Sequence, residues 1–128
     1  MLNIAPELLK TTEGLVKAIA SVLDEKQAEN IKILKVEKQT SLCSYFIICD
    51  GRASTHVLSL ADHVEDALAS AGEKPLHTEG MKEGTWAVLD YASVIVHIFD
   101  RQNREFYNLE KMWRDAESVS LEDTLADL

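Results

Sequence analysis

Two cysteines and four histidines are the residues of this chain that could act as nucleophiles or metal ligands. His56 and His63 lie seven residues apart on a predicted helix, about 10 Å along its axis, whereas a single ion holds imidazole nitrogens at about 2 Å. Cys43 and Cys49 lie about 20 Å apart along an extended chain, beyond disulfide reach. Burial in an apolar strand would also raise the pKa of Cys49 and suppress its reactivity. These residues predict buried free thiols, no metal site and no catalytic thiol.

A turn followed by a helix is the strongest candidate for phosphate chemistry. The chain leaves a predicted buried strand at Asp50–Gly51 and enters a helix near Ser54, whose amide end could hold an anion. Nucleotidyl transfer also needs two or three carboxylates converging on magnesium ions. Asp90 stands alone on its strand and Asp100 closes a different one. Capping of the helix by Ser54 is therefore favoured, and nucleotide binding or residual nucleotidyl transfer is the alternative hypothesis.

Aromatic and acidic residues cluster around a predicted hairpin, which makes this region the candidate for binding a partner. By strand alternation Trp86, Val88 and Asp90 share one face, and Tyr91 falls at the turn on the other. An ionised aspartate beside the tryptophan implies that this face is not sealed core throughout. Tryptophan and tyrosine are common interface anchors. Trp86 could equally be a large core residue, and on composition alone both interpretations stay open.

The elements that position these residues follow from the hydrophobic pattern. One histidine, His97, alternates with apolar neighbours and is expected to be a neutral, hydrogen-bonded structural residue. Gly72 should end the second helix by adopting a left-handed conformation. The predicted order is α-β-β-α-β-β-β-α, an α/β (α+β) fold with a mixed five-stranded sheet flanked by helices. The predicted helices are residues 12–23, 54–71 and 104–113, and the last should point Phe106, Leu109, Met112 and Trp113 inward. The predicted strands are residues 31–36, 45–49, 76–79, 85–91 and 93–99.

Composition limits the class of partner and the compartment. The 128 residues carry a net charge of −9, which opposes binding to an exposed nucleic-acid backbone and favours a basic protein. No apolar stretch approaches the roughly 20 residues that span a bilayer, and free thiols suit the cytoplasm. Residues 1–116 are expected to form the domain, and residues 117–128 an acidic, mobile tail. Strands that are apolar on both faces also leave a homodimer possible.

Several segments together resemble the Iojap/RsfS family of ribosomal silencing factors. The Arg-Glu-Phe-Tyr sequence at the start of residues 104–113 is the most specific of them. The resemblance covers most of the chain, from about residue 31 to residue 116. The matching segments are residues 47–51, 59–64, 74–80, 83–91, 94–99 and 104–113.

The resemblance implies a nucleotidyltransferase-like fold that lacks the catalytic carboxylates, and hence a binding protein without cofactor rather than an enzyme. It implies binding to the large ribosomal subunit through ribosomal protein L-fourteen, which blocks joining of the small subunit. This represses translation when nutrients are short and also acts during subunit maturation. Trp86 and Tyr91 correspond to contact positions, with Asp90 as an acidic partner for lysine or arginine.

The chain departs from the family pattern at three places. Asp50 stands where a threonine is common, Thr55 where a basic residue is common, and Ala92–Ser93 replaces a Gly-Asp hairpin turn. The last change removes one acid near the expected interface. The family often has leucine where Tyr91 stands, so an apolar side chain is kept there in a bulkier form.

Overall fold

The structure is a computed structural model that describes residues 4–126. A 3-10 helix (Pro6–Lys10) precedes the first α-helix. In the described chain no helix is long and apolar enough to cross a membrane. The predicted order of eight elements is confirmed, and further elements follow them. The helices are α1 (Thr12–Glu25), α2 (Ser54–Ser70), α3 (Arg101–Tyr107), α4 (Leu109–Met112) and α5 (Leu121–Leu125), and the strands are β1 (Glu29–Lys35), β2 (Tyr45–Gly51), β3 (His77–Glu79), β4 (Trp86–Asp90), β5 (Val94–Asp100) and β6 (Glu117–Val119).

Within residues 4–126 the strands form a mixed sheet in the order β3-β4-β5-β2-β1-β6. β2 and β5 run parallel at its centre, and the other neighbours are antiparallel. The predicted β4–β5 hairpin and the short β3 edge strand are confirmed. Every residue of β2 is buried, as its continuous apolar run predicted. The predicted likeness to nucleotidyltransferases stays a prediction.

The two faces of the sheet are covered unequally. On the helical face, α1 and α2 pack over alternate strand residues such as Ile47 and Ile98 to form the larger core. On the opposite face, here called the outer face, Phe46, Ile48 and Phe99 form a smaller cluster beneath the segment from α3 to residue 116. The period of two along each strand produces this division, because successive side chains point to opposite faces.

The sheet has six described strands rather than the predicted five, because the acidic segment after residue 116 contributes one. Strand β6 pairs with β1, with Val119 opposite Ile33. Val119, Leu121 and Leu125 pack against the larger core, and Thr124 is buried. A three-residue strand in an acid-rich segment is too short for periodicity to reveal. Separate, mobile behaviour of residues 117–128 stays a prediction, and residues 127 and 128 lie outside the described residues.

The final predicted helix, residues 104–113, is wrong as a continuous helix. It divides at Asn108, which adopts a left-handed conformation with φ of 45° between α3 and α4. The break rotates the helical face, so Phe106 and Met112, both predicted to point inward, are 77% and 74% exposed. Leu109 and Trp113 do pack against the outer-face cluster, as predicted. Asparagine tolerates the left-handed region better than most residues, which explains a break without glycine.

Candidate partner-binding face

Trp86 lies on the outer face at the start of β4, where it is only partly buried. Its indole ring stacks on Phe99 with centroids 4.9 Å apart and contacts Tyr107 of α3 at 4.6 Å. The indole Nε1–H donates to His97 Nδ1 at 3.1 Å. Trp86 is therefore held by two rings and one hydrogen bond while part of its surface stays open to solvent.

His97 is the neutral, hydrogen-bonded histidine that the strand pattern predicted. Burial lowers its pKa to about 4, so the ring is uncharged at neutral pH. Because Nδ1 accepts a hydrogen bond, the proton resides on Nε2. That nitrogen is buried and has no hydrogen-bond partner among the described residues. In His97 the acceptor Nδ1 is therefore hydrogen-bonded, and the donor Nε2–H is unsatisfied.

Acidic side chains border the open part of the outer face. Val88 and Asp90 follow Trp86 along this face of β4, as alternation predicted, and strand pairing sets Glu79 beside Val88 and His77 beside Asp90. Asp90 Oδ1 also accepts the Ala92 backbone N–H at 2.8 Å. Ala92 has a φ of 71°, so this hydrogen bond supports a strained hairpin turn. We call the set Trp86, Val88, Asp90, Glu79 and His77 the docking face.

Tyr91 does not join Trp86 and Asp90 on the docking face. It lies on the helical face within the larger core and is 5% exposed. Burial raises its pKa, and in the described part of the chain its hydroxyl has no hydrogen-bond partner. In the free chain the residue packs beneath the turn on the face opposite Trp86, as alternation predicted, and its role as a contact position stays a prediction.

A buried ion-pair cluster, which the sequence did not reveal, joins the end of β2 to α3. Asp50 and Arg104 are 2% and 9% exposed, and Arg104 Nη1 donates to Asp50 Oδ1 at 3.0 Å. Arg104 also bonds to Glu110 and to the Asn30 carbonyl, and Asn30 Nδ2 donates to Asp50 at 2.9 Å. Burial lowers the pKa of Arg104, but the hydrogen bonds to Asp50 and Glu110 outweigh this effect and raise it overall. We call Asn30, Asp50, Arg104 and Glu110 the clamp.

The clamp borders an open groove of about 720 Å³ that also has Lys32, Arg101 and Glu105 in its wall. Three cations and three carboxylates line it, so its charge favours no single class of ligand. The signals in the sequence were an aspartate ending an otherwise apolar strand and an arginine in a helix. Neither residue, taken alone, indicates which residue it pairs with.

The geometry at the start of α2 does not favour the phosphate-binding hypothesis. The predicted Ser54 cap is wrong: Ala53 is the N-cap residue, and the Arg52 backbone N–H donates instead to His56 Nδ1 at 2.9 Å. Asp50 is held in the clamp, and Asp100 caps α3 by accepting the Asn103 backbone N–H at 2.8 Å. Asp50 and Asp100 are therefore both engaged in structural hydrogen bonds.

Both thiols are buried and reduced, as predicted. Burial and the nearby Asp90 charge raise the pKa of Cys43 to about 11, and burial raises the pKa of Cys49 further. Both therefore stay protonated at neutral pH and supply no thiolate nucleophile.

Comparison with known proteins identifies the family. The model of the family described as ribosomal silencing factor during starvation, RsfS, matches residues 9–127. RsfS of Bacillus subtilis is 34% identical over 110 residues, 86% of this chain and 93% of that protein. A Mus musculus protein named mitochondrial assembly of ribosomal large subunit protein 1 is 25% identical over 113 residues, 86% of this chain and 48% of that protein. A Chromobacterium violaceum crystal structure superposes with a TM-score of 0.79 at 27% identity, covering 86% of this chain and 91% of that one. The resemblance seen in the sequence is confirmed, and the chain belongs to the RsfS family of ribosomal silencing factors.

Proposed function

We propose that this chain binds the large ribosomal subunit through ribosomal protein L-fourteen and sterically blocks joining of the small subunit. In this role it represses translation under nutrient limitation in the cytoplasm and assists maturation of the large subunit. The family description and the mouse relative, named for large-subunit assembly, support the ribosome as target. The observation that carries the proposal is the docking face, an incompletely covered sheet surface centred on Trp86 and bordered by acids.

Trp86 is suited to anchor such an interface. Its N–H is already bonded to His97, so the exposed part of the indole presents apolar surface that a partner can cover without leaving a donor unpaired. The stacking on Phe99 and the tilted ring contact with Tyr107 restrict the indole before binding. A restricted aromatic side chain loses little entropy on association, which is why such residues often dominate binding energy.

The charge of the docking face suits a basic ribosomal protein. Asp90 and Glu79 lie on the same face of the sheet as Trp86, on β4 and on its neighbour β3, in a chain whose net charge is −9. Opposite charges steer association and select partners, and salt screens them. The same charge opposes direct contact with rRNA phosphates, whose binding requires lysine and arginine. The proposed mechanism is therefore occlusion of a protein surface, without cofactor and without bond-making chemistry.

Burial of Tyr91 narrows the proposed contact set to Trp86 and Asp90. We assign Tyr91 the role of filling the helical face beneath the hairpin turn, which keeps the Asp90 carboxylate at the surface. A homodimer remains compatible with this assignment as long as the docking face stays accessible.

Sedimentation of ribosomal subunits with and without the protein tests the occlusion mechanism. We expect 70S particles to decrease when the protein is in excess over large subunits. The effect should weaken as salt rises, because the attraction is partly electrostatic. Normal pairing of subunits at saturating protein would refute the proposal.

Variants test the docking face itself. Trp86→Ala should weaken binding to isolated large subunits by about 2 kcal/mol, roughly thirty-fold in Kd. Asp90→Asn removes the charge but keeps the oxygen that accepts the Ala92 N–H, and it should cost on the order of 1 kcal/mol at low salt. Asp62→Asn is the matched control, because Asp62 is exposed on α2 over the opposite face. Equal binding of Asp90→Asn and Asp62→Asn would count against this surface.

A further inference from the structure

We propose that His97 is a positioning residue for partner binding: it holds the Trp86 indole in the orientation that the docking face presents. This inference rests on the proposed function. The contact that carries it is the 3.1 Å hydrogen bond from Trp86 Nε1 to His97 Nδ1, between neighbouring strands of the outer face. His97 makes no contact with the partner in this scheme and acts through Trp86.

The imidazole is fixed well enough to serve as an anchor. Phe46 meets it edge to face with ring centroids 5.0 Å apart, and Phe99 lies nearly parallel to it at 6.4 Å. His97 is also buried in the central strand β5, whereas Trp86 is partly exposed at the beginning of β4. The less mobile ring therefore sets the position of the more exposed one.

The unsatisfied Nε2 of His97 indicates why a histidine stands here. A buried polar atom without a partner is unfavourable, and a phenylalanine would fill a comparable space without leaving one. What histidine supplies and phenylalanine does not is the acceptor at Nδ1, which only the Trp86 indole uses among the described residues. We infer that holding the Trp86 indole in one orientation offsets the free-energy cost of leaving the His97 Nε2–H without a partner.

The hydrogen bond has a consequence for recognition. Without it, the indole N–H of a partly exposed Trp86 would seek water or an acceptor on the partner, and the ring could turn about its side-chain torsions. With it, Trp86 offers a fixed apolar surface and requires no acceptor opposite. Restricting an interface side chain before association reduces the entropy lost on binding.

The test uses His97→Phe, which removes the acceptor and keeps an aromatic ring, and His97→Asn, which keeps an acceptor close to the Nδ1 position. The first readout is the Trp86 indole N–H signal in ¹H–¹⁵N NMR spectra of the full chain, assigned with Trp86→Phe and Trp113→Phe. We expect His97→Phe to shift this signal and to speed its exchange with solvent by about tenfold or more, because the hydrogen bond is lost. His97→Asn should stay close to the native chain.

The second readout is the Kd for isolated large subunits, measured for His97→Phe with Trp86 present and with Trp86→Phe. We expect an affinity loss of about tenfold in the first background and less than about twofold in the second, where no indole N–H exists to be held. A structural role alone would lower the affinity equally in both backgrounds, and that result would overturn the inference. An unchanged indole signal in His97→Phe would also overturn it.

Failure of the proposed function gives a different pattern. If Trp86→Ala binds large subunits as tightly as the native chain, both the docking face and this inference fall. If Trp86→Ala loses affinity while His97→Phe does not, only the inference falls.

Discussion

Replacing Asp50 by alanine removes the counter-ion of a guanidinium that is itself buried. Arg104 would retain the Asn30 carbonyl at 2.5 Å and the Glu110 carboxylate at 3.1 Å, but the Asp50 oxygen at 3.0 Å would be gone. The Asn30 side-chain amide would lose its acceptor as well. The variant therefore leaves a buried positive charge that is only partly compensated.

The size of the stability loss in Asp50→Ala follows from how deeply Asp50 and Arg104 are buried. Breaking a buried ion pair by removing one member costs about 3–5 kcal/mol. Glu110 keeps part of the compensation at Arg104, so we expect Asp50→Ala to lower the free energy of unfolding by about 3 kcal/mol. The Arg101–Glu29 pair is shorter, 2.6 Å, yet the Arg101 side chain is 63% exposed. Arg101→Met should therefore cost no more than about 1 kcal/mol, since water screens an exposed pair.

Urea unfolding followed by circular dichroism measures these differences, with Arg101→Met as the matched control. Arg104→Met and the Asp50→Ala/Arg104→Met double variant complete a mutant cycle. We expect the double variant to lose less than the sum of the single variants by at least about 1.5 kcal/mol, because removing both charges leaves neither one unpaired. If Asp50→Ala costs no more than Arg101→Met, the reasoning about the clamp is refuted.

Three further predictions concern stability. The pKa of His97 falls from the ordinary 6.5 to about 4 on folding, so between these pH values the unfolded chain binds a proton that the folded chain does not. Between pH 7 and pH 5, the unfolding free energy of the native chain should therefore fall by about 2 kcal/mol more than that of His97→Phe, as measured by urea titrations. Tyr91→Phe should leave the unfolding free energy unchanged or raise it by up to about 1 kcal/mol, because the Tyr91 hydroxyl has no described partner. A lower unfolding free energy would show that the hydroxyl makes a stabilising contact. A chain ending at Ala116 should have an unfolding free energy lower by about 3 kcal/mol in the same assay, because it lacks the apolar packing of the later residues. A mobile tail predicts no change.

The parts of the fold that the sequence predicted are those governed by local patterns. Continuous apolar runs identified the covered strands β2 and β5, and strict alternation placed Trp86 and Asp90 on one face of β4. Gly72, with a φ of 95°, follows α2 where a left-handed residue was expected. Each of these signals lies within one short segment, so the sequence alone contains it.

The errors concern features that depend on distant segments. Nothing near residue 117 indicates that β1 would pair with it. The Asp50–Arg104 pair joins residues 54 positions apart. At Asn108 the error was different: a helical repeat that is continued across a left-handed residue assigns one inward face to two helices, and Phe106 and Met112 are exposed instead.

The clamp and the docking face are connected through α3, which gives the buried charges a role beyond stability. Arg104 and Tyr107 lie three residues apart and so face similar directions on this short helix. Arg104 is fixed to Asp50 and to the Asn30 carbonyl, while Tyr107 contacts Trp86 at 4.6 Å. Because α3 has seven residues and few buried side chains, apolar packing alone would allow it to rotate or slide. The directional hydrogen bonds of the clamp fix its placement, and with it the Tyr107 ring that contacts Trp86.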